Sequence, residues 1–150
     1  MPITRIYEGD LFEAKTQSKV NTVNIVGAMG AGIALKFKLK YPDMFKRYKE
    51  YCTNGQFKVG MLQVYRYNKR DWIVNFPTKK HWRDASTLEY IEAGLKNFVE
   101  TYKKRGIKSI TFPQLGCANG GLDWESQVKP LMLKYLNQVD IPVEIVIYKK

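Results

Sequence analysis

Two glycine-rich turns constrain this chain more than any other feature. The first is Asn24-Ile-Val-Gly27-Ala-Met-Gly30-Ala31-Gly32-Ile33-Ala34. The second is Pro113-Gln-Leu-Gly116-Cys117-Ala118-Asn119-Gly120-Gly121-Leu122-Asp123-Trp124. Each follows an apolar, β-branched run, Val20–Val26 or Ser109–Phe112, and each leads into a stretch with helical spacing. Strand, turn and helix in that order are the unit of an α/β sheet, whose ligands collect beyond the carboxyl ends of the strands. Glycine permits positive φ and close backbone approach, and a following helix N-terminus offers free amides and partial positive charge. The first turn reads G-x-x-G-x-G, not the dinucleotide-binding G-x-G-x-x-G. One such turn is accounted for by packing alone. Two in a single chain of 150 residues favour a nucleotide diphosphate gripped from both sides.

The remaining segments alternate in the same way. Ile3–Glu8 reads as a strand, and Gly32–Tyr41 as a helix. Pro42 suits the first position of a second helix running to about Thr53, with a turn at Asn54-Gly55. Met61–Tyr67 and Trp72–Phe76 read as a hairpin around Asn68–Asp71. Ser86-Thr-Leu-Glu89 has the pattern of a capping box. It opens a helix with Leu88, Ile91, Leu95, Phe98, Val99 and Tyr102 on one face, closed by Gly106. Asp123 is placed to cap a last helix, in which Pro130 predicts a kink or a restart. Val143–Tyr148 reads as the final strand. The hairpin makes the sheet mixed, so the expected fold is a three-layer α/β/α domain spanning residues 1–150 with helices on both sheet faces.

Composition narrows the chemistry. Lys and Arg number 25 against 14 Asp and Glu, a formal net charge of +11. That excess fits an acidic partner such as nucleic acid, and equally a lysine-coated surface. One cluster is Lys36, Lys38, Lys40, Lys46, Arg47 and Lys49. A second is Arg66, Lys69, Arg70, Lys79, Lys80 and Arg83. The third, Lys103, Lys104, Arg105 and Lys108, is explained by the negative end of a helix dipole. No apolar run approaches a membrane span and the N-terminus has no signal-peptide core, so a cytoplasmic protein is expected. Two cysteines make no disulfide framework. A single histidine, His81, excludes a His-rich metal site, and neither a metal nor a cofactor is expected. Catalytic options shift towards lysine, carboxylates and backbone amides.

Three further candidates have plain structural explanations beside the functional ones. Asp10, after Gly9, can accept from an adenine amino group or cap a turn. Cys117 lies near a helix N-terminus, but no histidine is near it in sequence, and a small residue in a tight loop is the better reading. In Thr78-Lys79-Lys80-His81-Trp82-Arg83, a lysine beside another cation can be a nucleophile, Trp82 can stack on a base and Arg83 can meet a phosphate. A solvated basic loop explains the same residues.

Together these segments resemble a macrodomain, the ADP-ribose-binding α/β module. The resemblance covers nearly the whole chain. Its most specific parts are Gly9-Asp10-Leu11-Phe12, Met29-Gly-Ala-Gly-Ile-Ala34, Thr78-Lys79-Lys80, and Gly116-Cys117 with Gly121-Leu-Asp-Trp124. They are similar to the subclass that holds the human terminal ADP-ribose protein glycohydrolase and the DarG antitoxins, which remove ADP-ribose placed on DNA bases by DarT toxins. The resemblance implies that Asp10, with Leu11 beside it, receives the adenine. It places Asn24 near the distal ribose. Gly30, Ala31, Gly32, Ile33 and Ala34 would wrap the diphosphate from one side, and Gly116, Cys117, Ala118, Asn119, Gly120, Gly121 and Leu122 from the other. Lys79 matches the lysine that acts at the distal ribose, with Lys80 the alternative one residue on. Gly120 stands where the protein-directed human enzyme has a catalytic aspartate, so the second loop is more similar to that of the DNA-directed antitoxins. The implied activity is release of ADP-ribose from modified bases in single-stranded DNA by a monomeric, DarG-like glycohydrolase. His81, Trp82 and Arg83 would meet the nucleic acid, the Lys36–Lys49 face would hold the strand, and a DarT-type toxin would be the partner. The alternatives are an ADP-ribose reader without turnover, or a hydrolase of ADP-ribose 1″-phosphate, O-acetyl-ADP-ribose or protein-linked ADP-ribose.

Overall fold

The β-branched runs of the sequence become strands β1 (Ile3–Gly9), β2 (Ser18–Val23), β3 (Gln63–Asn68), β4 (Asp71–Pro77), β5 (Ile110–Phe112) and β6 (Val143–Tyr148). The structure is a computed structural model that describes the backbone of residues 3–148 and the side chains of residues 5–148. The strands form one sheet in the order β1-β6-β5-β2-β4-β3. Neighbours run parallel except β3, which returns antiparallel beside β4 as the expected hairpin. The sheet is therefore mixed. Helices α1 (Gly32–Lys40) and α2 (Pro42–Thr53) cover one face. Helices α3 (Leu88–Arg105) and α4 (Lys129–Leu136) cover the other. Among the described residues no helix is long and apolar enough to cross a membrane.

Strand alternation divides the core between the two faces. On β4, Val74 and Phe76 pack with Leu95, Phe98, Met132 and Leu136. Ile73, one position earlier, joins Phe37, Met44 and Tyr48 on the opposite face. The Phe76 ring lies so close over Gly94 in mid-α3 that a Cβ there would overlap it. This accounts for a helix-interior glycine that costs about 1 kcal/mol in propensity relative to alanine.

Polar groups also set the register. Asn21 of β2 donates to Asn75 of β4 at 3.1 Å, and Asn75 donates to Gln63 of β3 at 3.1 Å. A slip of one residue would turn each of these amides to the other face. At the opposite end of β4, the Lys19 amine is buried 3.4 Å from the Asp71 carboxylate, which also accepts from the Tyr41 hydroxyl. Burial and the Asp71 charge push the Tyr41 hydroxyl well above the ordinary tyrosine range.

Most sequence-derived boundaries lie within two residues of the observed ones, with two corrections. The strand expected at Val20–Val26 starts earlier, at Ser18, and ends at Val23, because the Asn24 side chain captures the backbone of the following residues. Ile25 and Val26 are β-branched yet lie in a loop, with Val26 49% exposed. The cap of α3 is Thr87, whose side chain accepts from the Tyr90 amide at 3.2 Å. Ser86, the expected cap, is buried instead. Asp123 does cap the last helical segment, accepting from the Ser126 amide at 2.8 Å. One π-type turn, Trp124–Val128, precedes α4, which restarts with Pro130 in its first turn.

Replacing Asp71 by Ala strands the buried Lys19 ammonium. The expected cost is about 3 kcal/mol, the lower end for stripping a buried charge of a partly exposed partner. It would be read as a lower urea midpoint at unchanged slope.

Candidate functional site

Strands β4, β2 and β5 lie side by side and parallel, so their carboxyl ends open on one edge of the sheet. From β2 the chain passes to α1 and α2 on one face. From β5 it passes to α4 on the other. The crevice between β2 and β5 is therefore a topological switch point, the place where α/β sheets receive ligands.

The loop after β2 is shaped by one side chain. The Asn24 Oδ1 accepts from the Val26 amide at 3.1 Å and the Ala28 amide at 3.4 Å, while its Nδ2 donates to the Ala28 carbonyl at 2.9 Å. The Tyr48 hydroxyl, reaching up from α2, lies 2.8 Å from both the Asn24 carbonyl and its Oδ1. Burial raises the Tyr48 pKa far above the usual range, which keeps this hydroxyl a donor. Gly27 and Gly32 adopt φ of +87° and +58°, which only glycine takes without strain. Space around Gly30 is open, and Ala31 and Gly32 are exposed. Ala31 is the N-cap of α1 and offers no capping side chain, so the first-turn amides of that helix are unclaimed. Ile33 and Ala34 pack down onto the α1–α2 core.

The loop after β5 closes on itself through the Leu122 amide, which donates to the Gly116 carbonyl at 3.0 Å. Leu122 packs on the core, whereas Ala118, Asn119 and Gly121 form an exposed rim. The two loops meet: a Cβ on Gly32 would stand 3.3 Å from the Asn119 side-chain nitrogen. Gly120 is held against α3's entry, with its carbonyl accepting from the Ser86 amide at 3.0 Å. A Cβ on Gly120 would overlap the Ser86 hydroxyl and lie 2.5 Å from the Gly116 carbonyl oxygen. No side chain fits there without moving backbone. Among the described residues the Ser86 hydroxyl beneath has no hydrogen-bond partner. Burial and the nearby Asp123 carboxylate push the Cys117 thiol up to about 11. At neutral pH it is protonated, which agrees with a small packing residue and not a nucleophile.

The lysine segment is stitched to the first loop. The Thr78 amide donates to the Val23 carbonyl at 3.0 Å, and the Ile25 amide donates to the Lys80 carbonyl at 3.2 Å. Lys79 is half-buried, and its amine donates to the Trp82 carbonyl at 3.2 Å. Lys80 is exposed, with its amine 5.8 Å from the Tyr90 ring centroid. Trp82 is 58% exposed between His81, at 5.0 Å between ring centroids, and Arg83, at 5.7 Å. Asp10 is exposed and caps the short turn Leu11–Glu13, accepting from the Phe12 amide at 2.9 Å. One carboxylate oxygen is so committed, and the other is not. Leu11 is buried with Met29 and Phe37, which seats this turn against the first loop and α1.

Two participants escaped the sequence reading. Tyr48 shares a buried helical stripe with Met44 and Cys52, a spacing that says core and says nothing of a hydroxyl partner. Ser86 fits the pattern of a cap, and its contact with Gly120 spans 34 positions that no local pattern links.

The model of the Macro domain family matches residues 20–131. A DNA ADP-ribosyl glycohydrolase of Mycobacterium tuberculosis is 46% identical over 143 residues, covering 93% of this chain and 40% of its own length. The solved macrodomain of Mycobacterium tuberculosis DarG superposes with a TM-score of 0.88 at 43% identity, covering 99% of both chains. Thermosipho africanus DarTG in complex with ADP-ribose gives a TM-score of 0.89 at 37% identity, over 98% of this chain and 42% of that one. The chain thus spans about two fifths of the length of the DNA ADP-ribosyl glycohydrolases it matches, 40% in the mycobacterial case.

The Cys117 environment can be checked without a ligand. Iodoacetamide labelling, followed peptide by peptide, should be slow at pH 7 and rise with an apparent pKa near 11. A labelling pKa below 8 would restore Cys117 as a nucleophile.

Proposed function

This chain belongs to the Macro domain family, in the group that holds the DarG macrodomains, and from that premise we propose that it hydrolyses the bond joining ADP-ribose to a base of single-stranded DNA. The observation that carries this reading is the meeting of two glycine loops over the β2–β5 crevice, with the lysine segment bonded to the first of them. The uncapped amides of α1 suit a diphosphate, through hydrogen bonding and the helix dipole. The free oxygen of Asp10 accepts the adenine amino group. Gly30–Ala34 and Gly116–Leu122 enclose the diphosphate and distal ribose, with Asn24 holding the first loop in shape beside them.

Lys79 acts at C1″ of the distal ribose, as nucleophile or by hydrogen bonding to the ribose or the leaving base, with Lys80 as the alternative. The C1″–base bond breaks with its electron pair going to the base. Water supplies the hydroxyl at C1″ and the proton on the released base. Fixed loop amides stabilise charge as that bond opens, without reorganisation at the moment of reaction. His81, Trp82 and Arg83 receive the DNA beside the modified base through stacking and phosphate contact. The substrate is the product of a DarT-type transferase. The filled position at Gly120 leaves no room for an acid side chain at that point of the second loop, which favours a nucleobase over a protein carboxylate as the leaving group.

The test uses single-stranded DNA carrying thymidine-linked ADP-ribose. The wild type should remove the adduct, and Lys79→Ala should slow removal by about 10²–10⁴, the usual weight of a group acting on the reacting bond. ADP-ribose affinity by calorimetry should change less than threefold. Loss in Lys80→Ala and not Lys79→Ala would reassign the lysine. Binding without turnover by the wild type would make the protein a reader or a small-molecule hydrolase, to be separated with 1″-phosphate and O-acetyl substrates.

Gly120→Ala should weaken ADP-ribose binding at least tenfold, about 1.4 kcal/mol. Adding Ser86→Gly should not restore it, because the Gly116 carbonyl remains 2.5 Å from the new Cβ.

A further inference from the structure

Away from the crevice, a cavity of about 600 Å³ opens along the outer side of α1 and α2. Its walls include Lys38, Leu39, Phe45, Lys46, Lys49 and Glu50. Leu39 is 72% exposed and the Phe45 ring is half-buried, so the groove presents apolar surface to water. Three ammonium groups stand along it against one carboxylate. The Lys38 amine lies 4.5 Å from the Phe45 ring centroid, so cation and ring already share one site.

The groove is also joined to the crevice. Helix α2 has 12 residues, about 18 Å of rise, and runs back from the end of α1 towards the first glycine loop. Lys49, on the groove wall, has its Cγ 3.5 Å from where a Cβ on Gly27 would lie. The Lys49 stem therefore links the groove to the loop that shapes the site. An apolar, aromatic floor with a cationic rim is the surface that binds single strands, where bases stack and phosphates meet ammonium groups.

Resting on the reading of the crevice as the site for a DNA adduct, we propose that this α1–α2 groove holds the single-stranded DNA on one side of the modified base. The partner is a single strand because a duplex cannot lay bases on the Phe45 and Leu39 surface. Through Lys49 the groove meets the first glycine loop on the α1–α2 side, so the strand it grips has one polarity relative to the modified base.

Two measurements test it. The first needs no turnover: fluorescence anisotropy with unmodified oligodeoxythymidylate, comparing the wild type with Lys38→Ala/Lys46→Ala over a range of salt. The double variant should bind at least tenfold more weakly. Its plot of log K against log salt should be shallower by about 1.4, two phosphate contacts at 0.7 each. The second compares KM for an ADP-ribosylated nucleotide alone, extended on its 5′ side, or extended on its 3′ side. The extension that enters the groove should lower KM about tenfold. The double variant should lose that gain and keep wild-type kcat/KM on the unextended nucleotide. Unchanged oligonucleotide binding and salt slope in the double variant would overturn the groove, whatever the hydrolysis assay gives. Equal gains from both extensions, surviving in the variant, would do the same. Absence of turnover with intact salt-linked binding through Lys38 and Lys46 would count against the hydrolase and leave the groove standing.

Discussion

Parallel pairing of β2 with both β4 and β5 is the constraint on which the site depends. Parallel strands end at the same edge, so the segments following Val23, Pro77 and Phe112 must emerge together. Only crossover connections can join such strands, and these carry the chain over opposite faces after β2 and β5. The crevice between them is left uncovered by either helical layer. The two glycine loops and the lysine segment are at this edge because of that pairing, and the parallel β1–β6–β5 pairing brings Asp10 and Leu11 to the same side of the sheet. The sixfold order β1-β6-β5-β2-β4-β3, with its one antiparallel strand at the far edge, closes the sheet without disturbing the three central ends.

The loops at that edge are held by polar groups spent on backbone. Asn24 uses its carboxamide to fold five residues of the first loop, and Tyr48 anchors it from below. The Ser86 amide holds the Gly120 carbonyl of the second, and the Gly116 carbonyl closes that loop on the Leu122 amide. Such loops are pre-organised, so ligand binding orders little further chain. What they leave free are amides: the uncapped start of α1 and the open surroundings of Gly30. A site of this kind binds an anion with few charged side chains of its own. The chain's lysines are then available at the margins, on the strand-end segment and along the α1–α2 groove.

Much of the architecture was readable because its signals are local. Pro42 at a helix start, Gly106 at an αL helix end, Asp123 at an N-cap and Pro130 at a restart each act within one turn of chain, and each is found in its expected role. The errors arose where a distant partner outweighed a local preference. Ile25 and Val26 have strand propensity, yet the side chain of Asn24 and the Tyr48 hydroxyl turn that segment into a loop. Ser86 fits a capping box, yet Gly120 packs on it and Thr87 caps in its place. Gly94 is unfavourable in a helix by every local measure, and only the Phe76 ring explains it.

By itself the sequence determined the alternation of strands and helices, the two glycine turns, and the exclusion of a histidine-rich metal site and of a disulfide framework. Those follow from side-chain periodicity, from the φ freedom of glycine, and from simple counts. It also carried the family resemblance, because the motifs that carry it are contiguous. The tertiary structure decided which strands are neighbours, and hence that residues 24–34, 78–83 and 113–122 share one edge. It decided that the Asn119 side chain faces Gly32, that Gly120 has no room for a side chain, and that lysines of α1 and α2 line a groove leading to Gly27. Each of these is a contact between segments far apart in sequence. No local propensity encodes such a contact, and only the packing of the whole sheet and both helical layers fixes it.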